Sequence, residues 1–300
     1  MTSSIEPQKK EMPQGIVAAL FTAPALLVIC LTVLFPFGYA FYLSLHRYKL
    51  KLADRPFVGF GNYSKVLTDE DFWASFLTTV TFAAGSVVLI VTVAFFVALL
   101  LDQDFPGRGI LRALLLVPWA IPAVVNGFLW KWLLNPSYGL INAMFSSVGI
   151  IDNYQSWMTN MPGAFIWTVI AYSWIHMPLA ALLLLSGLQT VPKSLHEAAI
   201  VDGASPWQRL SNITLPMLRP TLTVVLIFET IFALKVFDII FVLTAGGPGN
   251  ATNVLGWEIY INTFRKLDFG TGSTIAMLLG LLTLAIAVVF YALLDRGESQ

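Results

Sequence analysis

An all-α membrane protein with six transmembrane helices is the fold class this sequence predicts, and three observations predict it. Hydrophobic residues make up 57% of the 300, and charged residues only 11%. A soluble domain carries about 25% charged residues, so this chain lacks the polar skin that would cover a core in water; its mean hydropathy is +0.76. Six apolar segments, at residues 16–45, 75–101, 110–134, 162–188, 220–244 and 272–294, each reach the roughly 20 residues a helix needs to cross a bilayer.

The same composition excludes other classes. With a net charge of +0, no basic surface points to nucleic acid. The single cysteine, Cys30, lies inside an apolar run and reads as an inert buried thiol. No Cys/His spacing suits a metal, so no metal ligand is assigned. No catalytic residue is assigned either: the spans hold no cluster of carboxylates and no Ser/His pair. A membrane enzyme is therefore the weakest reading. A stand-alone secondary transporter competes more seriously, but it would need coupling-ion sites and usually internal repeats, and neither is visible.

Taken in order, residues 1–14 form a polar tail with Lys9 and Lys10. They are not a secretory signal, because the apolar run that follows is too long and has no small-residue cleavage site. Residues 15–295 form one membrane domain, and 296–300 a second tail. Pro24 and Pro36 in the first span, Pro118 and Pro122 in the third and Pro178 in the fourth predict kinks, since neighbouring helices can re-satisfy the carbonyls a proline frees. Residues 46–74 make a partly extended polar loop, 102–109 a tight turn, 135–161 a longer loop, and 245–271 a loop that opens on a Gly-rich turn. Six spans put both termini on one side, but charge does not say which side. Lys9, Lys10, Arg108, Arg112, Lys193, Arg209, Arg219 and Arg296 stand there against Arg47, Lys49, Lys51, Arg55, Lys65, Arg265 and Lys266 opposite, eight against seven.

The polar loop at 189–219 carries the densest local signals. Pro192 blocks the preceding helix, and Ser194 with Glu197 fits a capping box that starts a new one. Asp202-Gly203 ends that helix, the glycine supplying the left-handed conformation. Ser205-Pro206 reads as N-cap and first position of a second short helix. Leu215-Pro216 stops it, and Arg219-Pro220 leads into the fifth span. The product is a helix-turn-helix along the membrane face, with a side of small residues at Ala198, Ala199 and Ala204. It is either an ordinary interfacial loop or a surface that a partner approaches closely.

This pattern resembles the EAA loop of the binding-protein-dependent ABC importer permeases. Its residues here are Glu197-Ala198-Ala199, Asp202-Gly203-Ala204, Trp207, Ile213 and Leu215-Pro216, with no gap from the glutamate to the Leu-Pro. Further likeness covers nearly the whole chain. Residues 57–63, FVGFGNY, resemble a G-x-x-N-Y segment of carbohydrate permeases. Pro118 to Trp132 with Gly139-Leu140-Ile141-Asn142, and Lys235 to Asp238 with Gly246-Gly247-Pro248, resemble their third and fifth spans. These matches point to the maltose/glycerol-phosphate-type subgroup, first-permease branch, in its shorter six-span form. The extra extracytoplasmic domain and N-terminal helices of the enteric maltose permease have no counterpart.

The resemblance implies a type I ABC importer permease fold with a cytoplasmic EAA coupling helix. It implies a bacterial or archaeal cytoplasmic membrane, with both termini cytoplasmic. The implied partners are a second homologous permease, two ATPase subunits, an extracytoplasmic solute-binding protein and the lipid bilayer. It implies a sugar or glycoside as cargo; an anionic glycoside, a polyol or a glycerol phosphate ester is the alternative. The coupling residues would be Glu197, Ala198, Ala199, Asp202, Gly203, Ala204, Trp207, Leu215 and Pro216. ATP and Mg belong to the partner ATPase, since no G-x-x-x-x-G-K-[ST] phosphate loop occurs in this chain.

Ionisable residues inside spans are costly and mark candidate function. Glu229, Lys235 and Asp238 fall in the fifth span. Lys235 and Asp238, three apart on one helix face, either pair with each other or line the substrate path; Glu229 either lines it or bonds a neighbouring helix. In the third span Asn126, Trp130 and Lys131 sit near the outer end. Trp130 either stacks on a sugar ring or anchors at the interface. His176, beside Met177-Pro178 in the fourth span, reads as a satisfied buried histidine.

Overall fold

A computed structural model describes residues 14–298, so the first tail, and the last residues of the second, lie outside the described residues. All regular structure among the described residues is helical; strand pairing is limited to two isolated bridges, His46–Phe57 and Lys49–Asp268. In chain order come α1 (Gln14–Ile29), α2 (Phe35–Ser44), α3 (Gly61–Leu67), α4 (Glu70–Asp102), α5 (Arg108–Leu115), α6 (Ala123–Leu133) and α7 (Leu140–Ser147). There follow α8 (Met161–Leu188), α9 (Lys193–Val201), α10 (Pro206–Arg209), α11 (Leu215–Leu234), α12 (Asp238–Leu243), α13 (Leu255–Tyr260) and α14 (Phe269–Glu298).

Among the described residues, five continuous helices, not six, are long and apolar enough to cross a membrane: Phe21–Ser44, Glu70–Asp102, Met161–Leu188, Pro206–Leu234 and Phe269–Phe290. The expected third span at 110–134 is interrupted, α5 ending at Leu115 and α6 starting at Ala123. Pro118 and Pro122 sit in the gap. Each lacks an N–H and would clash with the carbonyl four residues back, and here the helix breaks instead of bending.

The other prolines are absorbed differently. A wide π-turn at Cys30–Leu34 joins α1 to α2 just before Pro36, and a second at Leu210–Thr214 joins α10 to α11 just before Pro216. The π-turn lengthens the ring of the hydrogen bond and makes room for the proline ring. Leu215-Pro216 therefore does not stop a helix, as expected, but continues one. Pro24 and Pro178 lie inside unbroken helices.

The centre of the bundle is α4 against α8. Along α4 the face of Ser75, Thr79, Ala83, Ser86, Ile90, Ala94 and Ala98 is buried, with spacings of three and four residues. Ala164, Thr168, Ala171, Ala180 and Ala181 are buried on α8. Small side chains let helix backbones approach where lipid supplies no hydrophobic drive, so dispersion at close range holds the pair. Thr79 adds a polar pin: its Oγ1 donates to the Ser75 carbonyl at 2.7 Å and accepts from the Leu255 N–H at 2.8 Å, tying α13 onto α4.

Two glycines mark close helix crossings elsewhere. A Cβ on Gly127 of α6 would lie 2.7 Å from Val242 Cβ of α12. A Cβ on Gly187 of α8 would lie 2.6 Å from Thr221 Oγ1 of α11.

Gly127→Leu overpacks the α6–α12 crossing and is expected to cost about 1–3 kcal/mol. It should lower the thermal midpoint of the detergent-purified protein. Gly280→Ala, where nothing lies within 4 Å, should leave the midpoint unchanged or raise it. Equal midpoints for Gly127→Leu and the parent protein would rule out the close crossing.

Candidate functional site

The polar loop folds by local chemistry. Pro192 is the N-cap of α9, and the Leu195 N–H already bonds the Pro192 carbonyl at 3.1 Å. Ser194 therefore already lies inside the first turn and is not the N-cap, so the expected Ser194–Glu197 capping box does not form. The other end follows expectation. Gly203 takes φ +78, its N–H bonds the Ile200 carbonyl at 3.0 Å, and the Ala204 N–H bonds the Ala199 carbonyl at 2.8 Å. This pair of bonds is a Schellman motif, which satisfies the last carbonyls of α9. Ser205 then caps α10 in a full capping box: its Oγ accepts from the Gln208 N–H at 3.3 Å, and Gln208 Oε1 accepts from the Ser205 N–H at 2.7 Å.

The hairpin stands clear of the bundle. Glu197, Ala198, Asp202 and Gly203 are exposed, while Ala199, Ala204, Leu215 and Pro216 are partly buried. Its prominent apolar residues are bulky: Val201 is 87% exposed, Trp207 71% and Ile200 55%. The sequence reading stressed the small alanines and missed Ile200 and Val201. An Ile-Val pair at the end of an amphipathic helix, ahead of the exposed Trp207, was the available signal. The hairpin lies beside the end of α4, separated from it by a cavity of 440 Å³ that Leu99, Asp102 and Gln103 line together with His196, Arg209 and Leu210. The 102–107 turn and the hairpin therefore occupy the same end of the bundle.

At the far end of α11 lies a second site. The helix stops at Leu234, and Lys235, Val236 and Phe237 are non-helical before α12 begins at Asp238. Lys235 thus lies in the break and Asp238 opens the next helix, so the two do not share a helix face. Neither is in an ion pair among the described residues; the Lys235 Nζ lies 5.7 Å from the Phe232 ring centroid. Both are exposed at a cavity of 260 Å³, lined also by Tyr172, Ile175, His176 and Phe232. Ala123, at the restart of the interrupted third span, lines the same cavity. Two helix breaks therefore meet here. Non-helical backbone at membrane depth is tolerated where protein or a water-filled cavity satisfies it.

Glu229 is 3% exposed, and its Oε2 lies 3.3 Å from His176 Nδ1. The His176 ring stacks on Tyr172 at 4.1 Å between centroids. The Tyr172 hydroxyl is buried without a hydrogen-bond partner. Sequence reading placed Glu229 and His176 separately and passed over Tyr172, whose position one turn before His176 puts both rings on one face.

The third-span candidates have structural roles. Asn126 is fully buried, and its Nδ2 donates to the Ala171 carbonyl at 2.9 Å, tying α6 to α8. Trp130 is neither at a surface nor in the cavity. It is buried, with ring centroids 6.1 Å from Trp167 and 6.3 Å from Trp174. The expected interfacial anchor is therefore not what the structure shows: Trp130 is packed inside the bundle. Lys131 is exposed and does not line the cavity. The G-x-x-N-Y-like segment is a clamp: Asn62 Nδ2 donates to the carbonyls of Ser44 and His46, both at 2.8 Å, and Tyr63 Oη lies 2.8 Å from Ser44 Oγ.

Comparison with known proteins places the whole chain among similar proteins. The family described as "Binding-protein-dependent transport system inner membrane component" matches residues 90–300. The trehalose/maltose transport system permease protein MalF of Thermococcus litoralis is 42% identical over 271 residues, 90% of this chain and 91% of that one. The sulfoquinovosyl glycerol transport system permease protein SmoG of Agrobacterium fabrum is 34% identical, covering 96% and 93% of the two chains. The trehalose transport system permease protein SugA of Mycobacterium tuberculosis is 33% identical over 94% and 90%. In fold, the chain matches a solved bacterial ABC transporter involved in the import of the acidic polysaccharide alginate, at TM-score 0.81 and 20% identity over 94% of this chain and 96% of that one.

The cavity at the two helix breaks should be reachable from water. In a Cys30→Ser background, Asp238→Cys is expected to react with a membrane-impermeant maleimide and Trp130→Cys to stay unlabelled, as counted by mass shift. Labelling of Trp130→Cys, or protection of Asp238→Cys, would contradict the placement.

Proposed function

The chain belongs to the family of binding-protein-dependent transport system inner membrane components, and on that premise we propose that it is the permease subunit through which an ATP-driven importer passes a sugar or glycoside. A single observation carries the reading. The helix Pro206–Leu234 is unbroken from the exposed hairpin to the intramembrane cavity. At 1.5 Å per residue its 29 residues span about 43 Å. A push on one end of a rigid helix is felt at the other, so the hairpin and the cavity are mechanically joined.

The mechanism follows from that rod. The hairpin is the cytoplasmic coupling helix, seated in a groove of an ATPase subunit, and both termini share its side. Val201 and Trp207 fill the groove, Glu197 pairs with a basic residue of the ATPase, and Gly203 makes the turn that keeps α9 and α10 compact. The ATPase binds the nucleotide and Mg, and closure of its dimer draws the two coupling helices of a permease pair together. The rod tilts and re-aims the break at Lys235–Phe237, so the cavity opens alternately to the two sides.

The cargo arrives from an extracytoplasmic solute-binding protein. His176 and Asp238 offer imidazole and carboxylate groups to sugar hydroxyls, Lys235 an ammonium, and Phe232 an apolar ring face. Lys235 is balanced by Asp238 with Glu229 behind it, so the cavity has no excess of positive charge that would favour an anion. The relatives named for trehalose and maltose transport support a neutral glycoside.

Gly203→Pro cannot reach φ +78 and loses the N–H that closes the Schellman motif. In vesicles carrying the assembled transporter, both this variant and Glu197→Ala should abolish or sharply reduce sugar uptake, about tenfold for each 1.4 kcal/mol of lost coupling. Insertion should be unaffected. Uptake at the parent rate would sink the coupling role. Asp238→Ala should reduce uptake while the ATPase still co-purifies; loss of the ATPase instead would sink the cavity assignment.

A further inference from the structure

Basic side chains gather at the end of the bundle opposite the hairpin, in a place the transport mechanism leaves unused. Arg47 and Lys49 leave the turn after α2, Lys65 projects from α3, and all three line a cavity of 420 Å³ with Asn62, Asp268 and Thr271. Asp268 is the one carboxylate there. Its Oδ2 lies 3.5 Å from Lys49 Nζ, and its Oδ1 accepts from the Thr271 N–H at 3.1 Å at the start of α14. Three cations against one anion leave an excess of two positive charges. Arg47 and Lys65 are exposed and in no ion pair among the described residues.

The frame of this cavity is built in advance. Asn62 clamps the carbonyls of Ser44 and His46. The Leu50 N–H bonds the Leu267 carbonyl at 2.9 Å, and the Gly270 N–H bonds the Tyr48 carbonyl at 3.1 Å. Its depth follows from the helices that enter it. The apolar helix Phe21–Ser44 ends, and Phe269–Phe290 begins, within a few residues of the basic side chains, which puts the cavity at headgroup level. Its surroundings are apolar: Phe57 is 67% exposed and Phe60 69%. Exposed aromatic side chains at that level sit between headgroups and acyl chains. An aromatic stripe also runs along α2, from Phe35 through Tyr39 and Tyr42 to His46 and then Phe57, with neighbouring centroids 4.1 to 6.3 Å apart. It leads from the middle of the span to the turn that carries Arg47.

We infer that this cavity binds the phosphate of an anionic phospholipid, with Arg47, Lys49 and Lys65 around the headgroup and an acyl chain along the aromatic stripe of α2. An acidic side chain of a partner protein matches the charge but leaves the apolar rim and the stripe without a role. The bound lipid braces the turn between α2 and α3 against the start of α14. The inference needs only the membrane-spanning fold and stands whatever the cargo is.

The test uses the full chain purified with its partner subunits, delipidated in detergent and titrated with phosphatidylglycerol, with retained lipid counted by native mass spectrometry. The parent protein is expected to retain a phosphatidylglycerol in preference to phosphatidylcholine. Arg47→Gln with Lys65→Gln should weaken retention about thirtyfold, and each single variant about fivefold. Arg265→Gln, an exposed basic residue outside the cavity at the same end, should match the parent. Neither Arg47 nor Lys65 holds the fold through its side chain, so thermal midpoints should stay together. Unchanged retention in the double variant would overturn the inference. Displacement of the lipid by inorganic phosphate or glycerol phosphate at equal concentration would overturn it in favour of a free anion. Intact lipid retention with lost capture of the solute-binding protein would overturn it in favour of an acidic protein side chain.

Discussion

The backbone hydrogen bond is the constraint on which this structure depends. In a bilayer no water is at hand for a freed N–H or carbonyl, so each irregularity must be absorbed within the helix or placed where it lines a cavity. The chain does both. Before Pro36 and Pro216 a π-turn widens the helix and keeps it running. Around Pro118 and Pro122, and again at Lys235–Phe237, the helix gives way, and both gaps border one cavity. The positions at which helicity is preserved and abandoned therefore decide what is rod and what is site.

The distribution of packing agrees with that division. The α4–α8 pair is closed by buried Ala, Ser and Thr along its length, a contact that tolerates little sliding because small side chains leave no slack. By contrast, α11 meets its neighbours through mixed side chains, with Glu229 tied to His176 across the interface. On the proposed mechanism, this 29-residue rod tilts against the α4–α8 pair, pivoting near the Gly187–Thr221 crossing.

Much of this was legible in the residues. The second span was expected at 75–101 and occupies Glu70–Asp102, because a long apolar run without proline has one solution in lipid. Gly203 at positive φ and the cap at Ser205-Pro206 were legible because turn chemistry is local. The misses are those that local chemistry cannot decide. Pro118 and Pro216 look alike in the sequence, yet one falls in a break and the other in a continuous helix; the difference lies in which neighbours can satisfy the freed groups. The break at Lys235 has no Gly or Pro to announce it. Trp130 is in the core because Trp167 and Trp174 of α8 pack on it, and Tyr172 borders the cavity because His176, one turn on, lines it too.

The burial of the spans then says where a substrate path can run. The most apolar window of Met161–Leu188 is 61% buried within the bundle, that of Pro206–Leu234 28%, and that of Phe21–Ser44 only 6%. So α8 is the central helix and α1–α2 the outermost, facing lipid or another subunit. Tyr172 and His176 project from the central helix into the cavity, and Lys235 and Asp238 bound it from the break in the less buried one. A path bounded by a fixed wall on one side and a tilting rod on the other changes shape when the rod moves. A path between two equally buried helices would need the core itself to repack, at the several kcal/mol that dense packing exacts. On the proposed mechanism, the placement of the break on α11 and not on α8 is what would let the cavity open without dissolving the bundle.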